Sequence, residues 1–278
     1  EIFDASECVV LPGLINTHHH FYQTLSRAYG PALDKELFDW LRALYPVWAN
    51  LTPKYLHVAT RLALAELLLS GCTTAADHHY VFPNGLDDAV DIQAAAAEEI
   101  AVRVTLTRGS MNLSVEEGGL PPRSVVQDRD TILQDSARVI DALHNPEAGS
   151  MIQIALAPCS PFSVTPEIMS DTAALAAQRG VRMHTHLAET ADENAFCLEK
   201  YGCRPLDYLE QVGWVNDNVW LAHGIHFNED EIARLGKAGV GIAHCPGSNM
   251  VLASGLCPGV DLENAGSPIG IGVDGSAS

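Results

Sequence analysis

An α/β fold closed into a (β/α)8 TIM-like barrel is the architecture this sequence predicts, and three observations predict it. Eight short apolar, β-branched runs recur along the 278 residues. Helix-like stretches separate most of them, and strands alternating with helices imply a parallel sheet. Neither Gly-x-Gly-x-x-Gly nor a Walker loop is present to support the other parallel arrangement, an open doubly wound sheet, and "PGSNMVLASG" fits neither pattern. Eight strand–helix units over about 250 residues match a closed barrel.

The strands follow in order. "VVLPGLIN" (9–16) enters a histidine triplet, and "TTAADHH" (73–79) and "VRVTLT" (102–107) come next. "IQIALAP" (152–158), "VRMHTHL" (181–187), "VWLAHG" (219–224), "VGIAHC" (240–245) and "IGIGVD" (269–274) complete the set. Between them, "PKYLHVATRLALAELLLSG" reads as a helix with a glycine stop, and "TPEIMSDTAALAAQRG" as one with a Thr-Pro start. "GLDDAVDIQAAAAEEIA", "DRDTILQDSARVIDALHN" and "NEDEIARLGKAG" are three more. Two segments break the alternation: 26–50, rich in aromatics and prolines, and 109–127. Both are expected to fold over the barrel mouth and shape a pocket. Trp40, Tyr45 and Trp48 are expected as the core of the first excursion.

Composition narrows the function. A net charge of -19 with no basic tract would repel a phosphate backbone, so no nucleic-acid partner is expected. No apolar run approaches the ~20 residues that span a bilayer, and "EIFDASE" lacks the pattern of a secretory signal. No membrane association is expected, and the cytoplasm is the expected compartment. Seven scattered cysteines without Cys-x-x-Cys read as reduced core residues.

The chemistry gathers at the carboxyl ends of the strands, where barrels of this kind place function. In "NTHHHFYQ" neighbours on a strand point to opposite faces, so His18 and His20 converge while His19 faces away. That pair alone fits a hydrogen-bonded loop as well as a metal site. His186 and Glu189 end the fifth strand, His223 the sixth and Asp274 the eighth, all at one rim. Four strands delivering imidazole and carboxylate to one mouth would be costly without a cation. Zinc and similar ions favour this nitrogen and oxygen set. His18, His20, His186 and Asp274 are therefore the expected ligands of one divalent ion, zinc first and iron second.

"PGLINTHHHFYQ", "HTHLAET", "LAHGIH", "HCPGSNMVLASG" and "GVDGSAS", in this order, resemble the mononuclear metal-dependent deaminases of the amidohydrolase superfamily. The likeness runs from Val9 onward. It implies a barrel of the metal-dependent hydrolase type and carries roles to matching positions. Glu189 matches the acid that shuttles protons to the substrate ring. His223 matches the histidine that steadies the attacking hydroxide, and Asp274 would accept a proton from the water. Gln23 resembles a glutamine that hydrogen-bonds a purine edge. The fourth strand contains no lysine to carry a bridging carbamate, which favours a single ion, and it lacks the arginine that guanine deaminases carry near this point.

The resemblance also implies a small heterocyclic base as partner, a homo-oligomer, and a β-sandwich flanking the barrel. Residues 1–8 are expected as a remnant strand of that sandwich, and 9–278 as a barrel lacking its C-terminal end. The implied activity is hydrolytic deamination of an aminated purine-like ring, with 8-oxoguanine giving urate and ammonia as the leading case. Removal of an alkylamine from an s-triazine, a guanine- or cytosine-type deamination and a catalytically silent scaffold are the alternatives.

Taken singly, several of these residues have plainer readings. Glu189 also suits a helix start, His223 a hydrogen-bonded core histidine, and Asp274 a turn before glycine. His78 and His79 are expected in core or hydrogen-bonding duty, and His184 as a support one layer below His186. Nothing marks Cys159 as a lowered-pKa thiol.

Overall fold

The computed structural model describes residues 2–277. Eight parallel strands lie in chain order in one sheet: β1 (Leu14–Asn16), β2 (Cys72–Ala76), β3 (Arg103–Ser110), β4 (Ile152–Pro158), β5 (Met183–Leu187), β6 (Val219–His223), β7 (Gly241–His244) and β8 (Ile269–Ile271). The sheet closes on itself just beyond its first and last strands. Thr17 N–H donates to the Ile271 carbonyl at 2.9 Å, and Asp274 N–H donates to the His18 carbonyl at 2.9 Å. A parallel bridge joins His19 to Asp274. Closure and ligand placement thus share the same few residues.

The expected first strand is shorter than its apolar run. Val9, Val10 and Leu11 are exposed, and regular pairing with β2 begins only at Leu14. Pro12, which has no N–H to donate, precedes that start. By contrast, every residue of β5 is buried, as expected of a strand covered on both faces.

The outer helices begin where capping chemistry puts them. Thr52, Asp128, Thr165 and Asn228 accept from the backbone of Tyr55, Thr131, Ile168 and Glu231. They open α2 (Pro53–Leu69), α4 (Arg129–Leu143), α5 (Pro166–Arg179) and α8 (Glu229–Ala238). The helices α3 (Ala89–Ile100) and α6 (Ala191–Tyr201) complete the longer members of the ring. Three short helices, α7 (Pro205–Gln211), α9 (Pro246–Val251) and α10 (Gly259–Ala265), escape the sequence reading. At six or seven residues each they are too short to establish a helical period.

Leu56, Leu64, Val104, Leu106 and Ile154 pack between helices and strands at no more than 1% exposure. Truncating one such leucine or isoleucine to alanine costs about 2–5 kcal/mol. The first excursion carries α1 (Leu37–Trp48), whose Tyr45 and Trp48 are core as expected. Trp40 is core as well, its ring 5.5 Å from that of Trp48, and it also lines the cavity at the barrel mouth. No helix among the described residues is long and apolar enough to cross a membrane.

Candidate metal centre and active site

Every residue expected at the rim is found there and is buried. His18 is fully buried; His20, His186, Glu189, His223 and Asp274 are no more than 6% exposed. Their backbone turns sharply at the strand ends. Ala188, His223 and Asp274 have φ of 53°, 73° and 68°, left-handed values that a side chain tolerates at a cost of about 1–3 kcal/mol. These turns aim His223 and Asp274 inward where a regular strand would carry them past the mouth.

The side-chain nitrogens meet at one point. Asp274 Oδ1 lies 3.2 Å from His18 Nε2 and 3.1 Å from His20 Nε2. His20 Nε2 lies 3.1 Å from His186 Nε2. His223 Nε2 stands 3.8 Å from Asp274 Oδ2 and 3.5 Å from Glu189 Oε2. Two overlapping quartets, His18, His20, His78 and His186, and His18, His186, His223 and Asp274, each keep their ligand atoms within 4.8 Å of one another.

The partners of the opposite ring nitrogens decide which nitrogen faces the centre. His20 Nδ1 donates to the His78 carbonyl at 2.7 Å and His186 Nδ1 to the Cys159 carbonyl at 2.7 Å. His223 Nδ1 donates to Asn249 Oδ1 at 3.0 Å. His184 Nδ1 donates to the Trp220 carbonyl at 2.7 Å, which leaves its Nε2 as acceptor for His18 Nδ1 at 2.8 Å. Each proton is committed outward, so four Nε2 lone pairs point inward at a carboxylate. Such outer contacts are what fix the tautomer of metal-binding histidines.

Lone pairs this close need a positive charge among them. A proton on His18 would serve, and with His20 and His223 it would hold Asp274 well below the usual carboxylate range against the upward pull of burial. Burial, however, pushes His18 down to about 4 and drives His186 lower than an ordinary imidazole, so at neutral pH that proton is gone. His18 Nε2 has no hydrogen-bond partner. The donor set therefore fits a divalent cation, three or four imidazoles and one carboxylate.

Glu189 responds oppositely. Burial first, and the negative charge of Asp274 second, raise its carboxyl well above the usual range, so it holds a proton beside an ionised Asp274. A buried carboxyl whose hold on its proton is strengthened in this way, beside a second carboxyl group, is suited to general acid–base chemistry.

The surroundings add further residues. His78 stacks on His186 with ring centroids 4.6 Å apart, and its Nε2 donates to the Ala157 carbonyl. It is thus the buried, hydrogen-bonded histidine expected, and it also falls within the first quartet. Asn249 lies within the quoted "HCPGSNM" motif, but its contact with His223 depends on the turn into α9. Gln23 and Trp40 line the cavity above the cluster with Tyr80, Cys159 and Phe162. Gln23 Oε1 accepts from Ser276 N–H at 2.9 Å and Nε2 donates to the Tyr22 hydroxyl at 3.1 Å. Burial pushes the Cys159 thiol up to about 12, which removes it as a nucleophile. A larger cavity at the opposite end of the barrel, beside Thr17, Thr74, Arg182 and Trp220, has no part in this cluster.

A parallel barrel with buried imidazoles and a carboxylate converging at its C-terminal mouth defines the class of metal-dependent (β/α)8 hydrolases. More particularly, residues 9–278 match the amidohydrolase family, and the chain belongs to it. It is 64% identical to an 8-oxoguanine deaminase of Pseudomonas aeruginosa, over 99% of this chain and 62% of that enzyme. It is 38% identical to a hydroxydechloroatrazine ethylaminohydrolase of Pseudomonas sp. (strain ADP), over 100% and 58%. Among solved structures, atrazine chlorohydrolase from Arthrobacter aurescens TC1 complexed with zinc superposes with a TM-score of 0.92 at 36% identity, over 96% of this chain and 60% of that one. The chain thus spans about three-fifths of the length of the relatives it matches.

Proposed function

We propose that this barrel catalyses hydrolytic deamination of an aminated purine-like base, 8-oxoguanine to urate and ammonia, at one zinc ion held by His18, His20, His186 and Asp274. The observation that carries the reading is the convergence of the His18, His20 and His186 Nε2 atoms on Asp274, with Glu189 Oε2 and Asp274 Oδ2 reaching His223 Nε2 at 3.5 and 3.8 Å. The likeness to the Pseudomonas aeruginosa enzyme supports the substrate, and the zinc in the structural relative supports the ion.

A divalent ion in this donor set supplies Lewis acidity and lowers the pKa of a water toward ~7. Asp274, ionised, accepts a proton from the attacking water. Glu189 carries a proton to the ring nitrogen next to the carbon that bears the exocyclic amine, so electrons leave that carbon as the water oxygen attacks. The proton taken by Asp274 passes to the amine, which departs as ammonia, and Glu189 recovers a proton from the hydroxyl left on the carbon as it becomes a carbonyl. His223, anchored by Asn249, turns its Nε2 lone pair to accept a hydrogen bond from the attacking water. Gln23 presents its amide to the ring edge, and Trp40, Tyr80 and Phe162 supply flat apolar walls. The seven free cysteines support a reducing, cytoplasmic setting, and a homo-oligomer is part of the same proposal.

The deciding experiment measures amine release from 8-oxoguanine, guanine, isocytosine, cytosine and hydroxyatrazine, with metal analysis on the same sample. Ammonia from the oxidised purine supports the reading. Ethylamine from the triazine transfers the site to the second reading, for which the 38% identical aminohydrolase speaks. No release with metal bound points to a silent scaffold.

A further inference from the structure

Glu189 is delivered by a turn that is itself held in place. Ala188 adopts the left-handed conformation just after β5. Four residues past Glu189, in the first turn of α6, the carboxylate of Glu193 is fully buried and commits both oxygens to that turn. Oε1 accepts Ala188 N–H at 2.9 Å and Oε2 accepts Glu189 N–H at 2.9 Å. The Ala188 carbonyl accepts the N–H groups of Ile225 and His226, each at 2.9 Å, and so ties the same turn to the segment that follows His223.

Helix capping alone does not call for this. In a capping box the glutamate at the third helical position reaches the N–H of the cap residue. Glu117 and Glu231 follow that pattern toward Ser114 and Asn228. Glu193 has Thr190 as its cap, at 3.4 Å, yet reaches past it to Glu189 and Ala188. It is also an expensive group to place there: burial pushes it up to about 7, and no lysine or arginine among the described residues offsets that. Glu231, by contrast, meets Arg204 at 2.7 Å.

We propose that Glu193 is a positioning residue for proton transfer, its buried carboxylate setting the Ala188–Glu189 turn and through it the separation of the Glu189 carboxyl from the His223 imidazole. This rests on the reading of Glu189 as the proton carrier. A misplacement of about 1 Å at a reacting group costs on the order of 10²-fold in rate.

The test uses the full chain carrying Glu193→Ala or Glu193→Gln, each alone and combined with Glu189→Gln. Glu193→Ala is expected to lower kcat about 10²-fold, leave KM within about twofold and shift the pH profile of kcat, with metal content unchanged. Glu193→Gln keeps one acceptor and should recover part of the loss. In the Glu189→Gln background the added Glu193→Ala change should cost less than about twofold, because the group it positions is already gone. An equal fold-loss in both backgrounds overturns the proposal, since the residue would then act on the fold alone. A crystal structure of Glu193→Gln separates this from the activity reading. An unmoved Glu189–His223 pair overturns the positioning role even in an active enzyme. A displaced pair in a protein that releases no amine supports it and refutes only the substrate.

Discussion

His18 Nδ1 and His184 Nε2 stand 2.8 Å apart, with His184 in turn bonded to the Trp220 carbonyl and stacked on the Trp220 ring at 4.4 Å. The order of donors along this line runs from His18 through His184 to the backbone, and it turns the His18 Nε2 lone pair toward Asp274. His184→Ala should therefore weaken metal binding about 10–100-fold while the barrel stays folded. Competition with a chelator of known affinity measures it. A competition curve that overlays the wild-type one would remove His184 from this role.

Replacing Glu189 by glutamine keeps the shape of the side chain but removes its proton chemistry. Metal stoichiometry should hold, and turnover should fall about 10²–10⁴-fold in an ammonia-release assay. Full turnover in this variant would mean that another group carries the proton.

Gly272, between β8 and Asp274, has no room for a side chain. A β-carbon there would come within 2.9 Å of both His18 Cβ and Cys245 Sγ. Gly272→Ala should push His18 aside, lowering metal content and costing about 1–3 kcal/mol of stability. Metal analysis alongside thermal unfolding checks both, and full loading with an unchanged melting temperature would contradict the close packing.

Asp77 supports the histidine triplet from below, accepting Phe21 N–H at 2.6 Å and Gln93 Nε2–H at 2.7 Å. Burial pushes it from 3.8 up to about 6, so the folded chain holds this proton more tightly than the unfolded one. Its contribution is fully present below the unfolded value and is lost as pH rises through about 6. In Asp77→Asn the amide has no proton to lose, and Gln93 can turn its unpartnered Oε1 toward it. The stability of Asp77→Asn relative to wild type should thus improve by about 1–2 kcal/mol between about pH 5 and about pH 8. Denaturant unfolding at the two pH values measures it, and a constant difference would show that Asp77 does not titrate in this range.

The barrel and its rim were legible because both follow from short-range regularities. Alternation along a strand brings His18 and His20 to one side, and the placement of His186, His223 and Asp274 at strand ends needs only the eight-run count. What supports them was not legible, because it depends on how turns fold in space. The reach of Glu193 back to Ala188, the Asn249 contact beyond β7 and the approach of His78 to His186 leave no period in the sequence. Trp40 packs in the excursion core as expected, and its second role beside the cavity was not legible because an aromatic on a helix reads the same whether or not one edge also meets a cavity. Val9 to Leu11 read as strand from composition, yet a strand needs a neighbour to pair with, and regular pairing starts only at Leu14.

The left-handed residues at the ends of three strands bear on any attempt to rebuild this chemistry elsewhere. Ala188, His223 and Asp274 hold conformations that a β-carbon resists, so the backbone path and the reactive groups are a single inheritance. A designer who copied the side-chain rotamers onto straight strand termini of another scaffold would find His223 and Asp274 pointing elsewhere. Transplanting this centre means transplanting its three bends, together with the hydrogen bonds that keep them from relaxing.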